Sequence, residues 1–499
     1  MQKMSHSYRE EESRIDSHIE PAIASLPLFI GHTEKAVTSD GVMLTTGTCH
    51  SIASFAEFEQ CFGEAPSDTT LCVTMNHDNQ VVSAVCHCHF YLHSCIKQYF
   101  DNGGGTCEIL SVGNYNEPLH AVTFMMAIKQ LPAEATFTLI AMPDAVTLPE
   151  LPQLQQQLLQ YCQQQANCMA ILDLPYCDNQ TLPATVTAFR HQIGDTALHN
   201  GSAFLPWVEV DMPSARHYKH LEIKYTPGAA TAWREFQKAT RIQSRLFRDH
   251  LNHLPNLLLR RMIPPCGTIA GLLYANDQER GVWKLPSAPV NHVHSLSATI
   301  NDAQQAGLNI DAAQGKSINT LRHFLGRGIL LWGGRTLAGN DTEWRYISCK
   351  RTFNFLRASI HHYLNNQSFV HNDETTWSQI REACNLFLLK QWRAGALQGE
   401  KSKHAFYVRI GINETMSSQD IAEGRLIILA GFALSRPAEF TTLIIKHQLH
   451  SQADAVEQAR SYPSMANKLK IRARTSPINI TINTPLPKQG DGPLPLEIS

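Results

Sequence analysis

The chain has 499 residues, 43% of them apolar and 17% charged, enough for several domains with buried cores and too apolar for a disordered protein. Its 42 Lys+Arg are balanced by 44 Asp+Glu, for a formal charge of −2, which argues against a protein that coats a polyanion or a membrane surface. No apolar run reaches the roughly eighteen residues that span a bilayer. The start, Met1 to Glu20, is acidic at Glu10, Glu11 and Glu12 and lacks a secretory pattern. Thirteen cysteines, an odd number, suit reduced thiols and synthesis in a cytoplasm.

Residues 25–180 alternate short apolar runs with amphipathic stretches. Leu26 to Gly31 reads as a buried strand, and Phe55 to Phe62 as a short helix stopped by Gly63. A second helix runs over Phe90–Phe100, with Leu92, Cys95, Ile96 and Tyr99 on one face, and the Asn102-Gly103-Gly104-Gly105 turn ends it. Strands follow at Cys107–Val112, Phe137–Met142 and Cys168–Leu172, separated by helices over Ala121–Lys129 and Leu151–Gln165. This rhythm predicts an α/β fold with a mainly parallel sheet and flanking helices.

Between 176 and 262 the pattern weakens into a variable, insertion-like region, with a polar helix expected over Ala229–Leu254. The apolar stretch Thr268–Tyr274 reads as a strand. From residue 316 a second unit is expected to run to 449, of mixed α+β type. It has strands at Ile329–Trp332, Trp344–Ile347, Ala405–Ile410 and Leu443–Lys446, and a long helix carrying Trp377, Ile380, Cys384, Phe387 and Leu388. Ser417–Leu434 reads as a further helix, capped by Ser417 or Ser418. Residues 450–499 form a basic C-terminal arm. Within it Lys468-Leu469-Lys470-Ile471-Arg472-Ala473-Arg474 and then Ile478–Asn483 alternate with the period of a strand.

No motif points to catalysis. Cys86-His87-Cys88-His89, with His93 and Cys95 nearby, offers soft ligands, but without a Cys-x-x-Cys pair or a second ligand pair at the usual distance. Buried cysteine packing as a small hydrophobe is the preferred reading. Gly315-Lys316-Ser317 resembles the end of a phosphate loop, yet Ile310 stands where that motif needs its first glycine. With 24 histidines in the chain, a chance His/Asp pair is no signal. The residues therefore offer no catalytic, cofactor-binding or metal-ligating set; an α/β enzyme stays open as the alternative on fold class alone.

An ordered series of segments is specific. Pro264-Pro265-Cys266-Gly267, Ala270-Gly271-Leu272-Leu273-Tyr274-Ala275 and Arg280-Gly281-Val282-Trp283-Lys284-Leu285-Pro286 come first. Gly315-Lys316-Ser317-Ile318-Asn319, Gly326-Arg327-Gly328, Leu331-Trp332-Gly333-Gly334-Arg335-Thr336-Leu337 and Trp344-Arg345-Tyr346-Ile347 follow. Trp392-Arg393-Ala394-Gly395-Ala396-Leu397-Gln398-Gly399 and Arg436-Pro437-Ala438-Glu439-Phe440 close it. Over about 25–175 and 262–447 the chain resembles the contractile tail sheath family of phages and related injection machines. Pro27 to Ala36 and the Asn102–Gly105 turn are most similar to extracellular injectors of the antifeeding-prophage and Photorhabdus-virulence-cassette type. One difference inside the motifs stands out: Gly333-Gly334 stands where the family usually has Gly-Ala.

The resemblance implies a structural polymer rather than an enzyme. Sheath subunits, with any paralogues, stack as six-fold rings on an inner tube protein, contact baseplate and sheath-terminating proteins, and contract without nucleotide, nucleic acid or membrane insertion. It also implies an outer α/β domain over 25–315 and an inner domain over 316–449 completed by an N-terminal arm, 1–24. Terminal arms add strands to neighbouring sheets. The arm residues expected to do so are Lys468, Leu469, Lys470, Ile471, Arg472 and Arg474. Asp420, Glu423 and Arg425 are candidates for gripping the tube, against the alternative of an ordinary solvated face. Synthesis in a bacterial cytoplasm and assembly into a tail or tail-like particle follow from the same resemblance. Trp283, Trp332, Trp344 and Trp392 are expected mainly in cores, with Arg335 and Arg345 tying loops to carboxylates. The start lacks the family's usual opening strand, and the chain continues about fifty residues past its usual last strand near Leu449. A specialised subunit at one end of the sheath is therefore expected.

Overall fold

The computed structural model describes residues 18–38, 40–44, 47–66, 70–75, 81–87, 89–211, 220–225, 259–367 and 371–449. Its strands are β1 (Pro27–Thr33), β2 (His50–Ile52), β3 (Thr70–Met75), β4 (Val81–His87), β5 (Cys107–Asn114), β6 (Leu139–Ala141), β7 (Met169–Asp173), β8 (Gly201–Leu205), β9 (Val208–Asp211), β10 (His220–Tyr225), β11 (Leu259–Ile263), β12 (Ser295–Leu296), β13 (Ile318–Phe324), β14 (Gly328–Trp332), β15 (Phe406–Arg409), β16 (Arg425–Phe432) and β17 (Thr441–Gln448). Its helices are α1 (Phe55–Phe62), α2 (Leu92–Asp101), α3 (Ala121–Gln130), α4 (Leu151–Gln164), α5 (Leu182–Gln192), α6 (Cys266–Arg280), α7 (Asp302–Asn309), α8 (Ile347–Asn365), α9 (Glu374–Arg393), α10 (Ser402–Ala405) and α11 (Ser418–Ala422).

Eight strands form the main sheet in the order β14-β13-β8-β7-β6-β1-β5-β2. All pairings from β13 across to β5 are parallel, and an antiparallel strand closes each edge. A strand covered on both faces can be apolar throughout, and β1 is buried at every position. Its alternate side chains feed two cores. Leu28 and Ile30 meet Phe124 of α3, Leu154 and Leu158 of α4 and Phe189 of α5. Phe29 faces Phe58 and Phe62 of α1, Cys95 and Tyr99 of α2 and Ile269 and Leu273 of α6. That second core continues into a six-stranded sheet, ordered β10-β3-β4-β11-β9-β12, through Val208, Val210 and Ile263.

A third core lies under α8 and α9, which cover the antiparallel sheet β15-β16-β17. Leu356, Ile360, Trp377, Ile380, Cys384 and Leu388 meet Leu426, Ile428, Phe432, Leu443 and Ile445 there. Ile19 joins this core. The strap that follows it is held where Ala22 N donates to Ser359 Oγ at 2.9 Å. The N-terminal strap thus completes the C-terminal unit.

Three sequence expectations need correction. Thr268–Tyr274 is helix, the first half of α6, not strand. Residues 266 to 273 are all buried, and an apolar run enclosed on every side has no period by which to tell strand from helix. Ser417–Leu434 is helical only over α11. Gly424 turns the chain at φ 71°, and β16 then alternates buried Leu426, Ile428 and Ala430 with half-buried neighbours, the period of a strand. Of Trp344–Ile347 only an Arg335–Tyr346 bridge is extended, and Ile347 opens α8. The β13–β14 hairpin, placed past 315 in the sequence reading, belongs to the main sheet, which therefore runs on to Trp332. The helix expected over Ala229–Leu254 lies outside the described residues.

Candidate functional site

Open α/β sheets bind ligands beyond the carboxyl ends of the strands, where the strand order reverses. Here that point is β1, flanked by β5 on one side and β6 on the other. The crevice is filled by the protein itself. Asp144, in the 3-10 turn after β6, is wholly buried. Its carboxylate accepts the backbone N–H groups of His32 at 2.7 Å, Tyr91 at 2.5 Å and Leu92 at 2.9 Å. The amides at the start of α2, which could otherwise hold an anion, are thereby occupied. Burial lifts the Asp144 carboxyl to about 6 while these hydrogen bonds pull the other way. His32 lies 4.0 Å away and is held down at about 4, chiefly by burial. A Cβ on Gly31 would stand 2.6 Å from Asp144 Oδ2, so only glycine admits the plug.

The two sequence baits resolve into structure. Lys316 is buried; its Nζ donates to Arg190 O at 2.7 Å and pairs with Asp195 at 2.9 Å. Ser317 Oγ donates to Asn309 O at 2.5 Å. Cys86 and His87 lie on β4, and Cys88 falls outside the described residues. On α2, His93 Nε2 sits 3.3 Å from Glu59 Oε1, whereas Cys95 Sγ faces Pro264 O at 3.6 Å. Among the described residues no group of three or more His, Cys, Asp or Glu could hold a metal ion. Among the same residues no helix is long and apolar enough to cross a membrane.

The tube candidates Asp420, Glu423 and Arg425 do come together, around the turn from α11 into β16. Arg425 Nε donates to Asp420 Oδ1 at 2.9 Å, and a second guanidinium nitrogen meets Glu423. Ser417 and Asp420 exchange hydrogen bonds as a capping box. The Ser417 hydrogen bonds, with Arg425 behind them, hold the Asp420 carboxyl down at about 2. The three side chains thus satisfy one another at the surface. Beside them, β15 and β17 each pair only with β16 among the described residues, so the sheet presents two edges. On β17, Ile444 is 59% exposed and Lys446 is exposed as well. The arm residues Lys468, Leu469, Lys470, Ile471, Arg472 and Arg474 lie outside the described residues.

Two further placements depart from the sequence reading. Trp332 is 41% exposed, its ring 4.7 Å from Phe324, while Trp283, Trp344 and Trp392 pack against the third core. Arg335 binds the carbonyls of Asn309 at 3.3 Å and Gly339 at 3.2 Å instead of a carboxylate. A buried ion pair was not legible in the sequence: Arg351 of α8 grips Asp277 of α6 with both terminal guanidinium nitrogens, at 3.0 and 2.5 Å. It also reaches Ala24 O at 3.3 Å, so one guanidinium ties both main parts to the N-terminal strap. The partners lie 74 residues apart, and no local pattern connects them.

Residues 340–447 match the Phage tail sheath C-terminal domain. A stretch of 132 residues is 28% identical to the tail sheath protein of Vibrio phage KVP40, covering 26% of this chain and 19% of that protein. The match thus spans about a fifth of that relative's length. Over most of the chain the fold is that of solved sheaths. The sheath complex of PVC, an extracellular contractile injection system, in its contracted state gives a TM-score of 0.60 at 21% identity, covering 89% of this chain and 97% of that one. The contracted helical sheath of the anti-feeding prophage gives 0.58 at 24%, covering 89% and 99%. Residues 340–447 thus carry a phage tail sheath C-terminal domain, and most of the chain has the fold of contractile sheath proteins. That architecture is similar to the sheath structures of PVC and of the anti-feeding prophage.

Proposed function

We propose that the chain is a structural subunit that polymerises in six-fold rings around an inner tube and contracts to drive that tube through a target envelope. The observation that carries this reading is the sheet of the matched domain, with an edge at β15 and another at β17. Backbone donors and acceptors along such edges take up further strands, and the alternating segment Lys468–Arg474 has the pattern of one. The subunit's partners are then itself, paralogous sheath subunits, the inner tube protein, and baseplate and terminating proteins. Asp420, Glu423 and Arg425 form the charged face offered to the tube. The crevice plugged by Asp144 supports a mechanical rather than a catalytic role. The division of labour follows the fold: an outer α/β part, an inner part built on residues 340–447, and terminal arms. The subunit is made in a bacterial cytoplasm and works in a tail or tail-like particle.

The test is co-expression with the cognate tube and baseplate proteins, read by negative-stain electron microscopy. Cylinders sheathed at regular rise are expected. Bare tubes beside small soluble oligomers of this chain would overturn the proposal.

A further inference from the structure

Where the N-terminal strap crosses between the two main parts, the surface opens into a cleft of about 640 Å³. One wall is α8, with Arg357, His361 and His362; the facing wall is made by residues 133–136 and 164–167, and the strap residues 20–23 close one side. Arg357 is half-buried there, yet among the described residues no carboxylate, carbonyl or aromatic ring meets its guanidinium. A charged residue on the same helix makes matters worse: Lys350, about two turns back, is buried under the Trp344 ring at 4.8 Å. The two cations repel, and Arg357 helps burial hold the Lys350 ammonium down at about 8. A half-buried guanidinium without a partner is costly, and an oxyanion that completes its fork of donors removes that cost.

We propose that this cleft is a binding site for a small oxyanion, a phosphate or carboxylate group held by Arg357 with the imidazoles of His361 and His362 beside it. Because the walls come from α8 and from the main-sheet part, a bound anion braces the two parts against each other. The exposed carboxylates Glu20 and Glu134 at the rim select a compact anion that enters without touching them, or one that also carries a cationic group. This site is independent of sheath assembly.

Calorimetric titration of the full chain tests it, with inorganic phosphate in one arm and citrate in another, against sodium chloride at equal ionic strength. Saturable binding of phosphate or citrate, absent for chloride, is expected, with the better ligand naming the group preferred. Arg357→Gln should weaken it by at least about tenfold. Ala133→Trp, at an exposed position on the facing wall, should block the same binding while leaving α8 untouched, and it serves if Arg357→Gln does not fold. No saturable binding in either arm, or full affinity in both variants, would overturn the proposal.

Discussion

Leu285 and Gly334 show how one side chain fixes another across the fold. A Cβ on Gly334 would lie 2.1 Å from Leu285 Cδ1, well inside contact distance. Gly334 thus leaves the room that the Leu285 side chain fills, so one large and one absent side chain share a single packed volume. Such volume-conserving pairs couple strongly, whereas either change alone overpacks or empties the site. Gly334→Ala should therefore destabilise by about 1–3 kcal/mol in urea unfolding, and adding Leu285→Ala should recover part of that loss. A double variant no more stable than Gly334→Ala would show that the two positions do not share space. The same neighbourhood binds three of the motif segments together: Asn319 donates to Arg335 O at 2.7 Å and accepts Arg335 N at 2.8 Å, and a Cβ on Gly339 would strike Ser317 Oγ. The motifs were legible as an ordered series because they form one interlocked node. Their partners were not, since a string of residues carries no distances.

At the scale of elements, what could be read depended on whether an element is wet on one side. α1 and α4, each exposed along one side, follow their sequence periods, α1 stopped by Gly63 and α4 opened beside Pro152. α6 does not, because its surroundings are protein on every side. Its helical form is set by contact with α2: a Cβ on Gly267 would meet Cys95 O at 2.1 Å and one on Gly271 would meet Tyr99 O at 2.5 Å. Four-residue spacing of glycine places both on one helix face, where backbones approach closely. Gly267→Ala should thus force the helices apart and lower stability by about 1–3 kcal/mol. In α7, Gly307 meets nothing within 4 Å, and Gly307→Ala should stabilise by roughly 0.5–1 kcal/mol through helix propensity alone. Opposite signs in the two thermal unfolding midpoints check the argument. Equal destabilisation would mean that close approach of α2 and α6 is not what glycine serves.

For the whole molecule, the described fold closes at Leu449, which is buried and donates its N–H to Gly424 O at 2.8 Å. The sequence pattern of residues 450–499 leads us to expect that they serve the assembly. In the strand that their period-two alternation predicts, Lys468, Lys470, Arg472 and Arg474 would share one side and Leu469, Ile471 and Ala473 the other. Such a strand gains twice from a partner's edge, by burying the apolar row and by facing carboxylates with the basic row. The second gain is screened by salt over about 10 Å at 0.1 M. Deleting 450–499 should leave the subunit's unfolding midpoint unchanged and disturb how sheaths begin or end. Replacing the four cations by glutamine should reproduce that defect in part, and most clearly at low salt, where the native contact is strongest. Particles of normal length and termination formed by the truncated chain would show that the arm has no part in joining subunits.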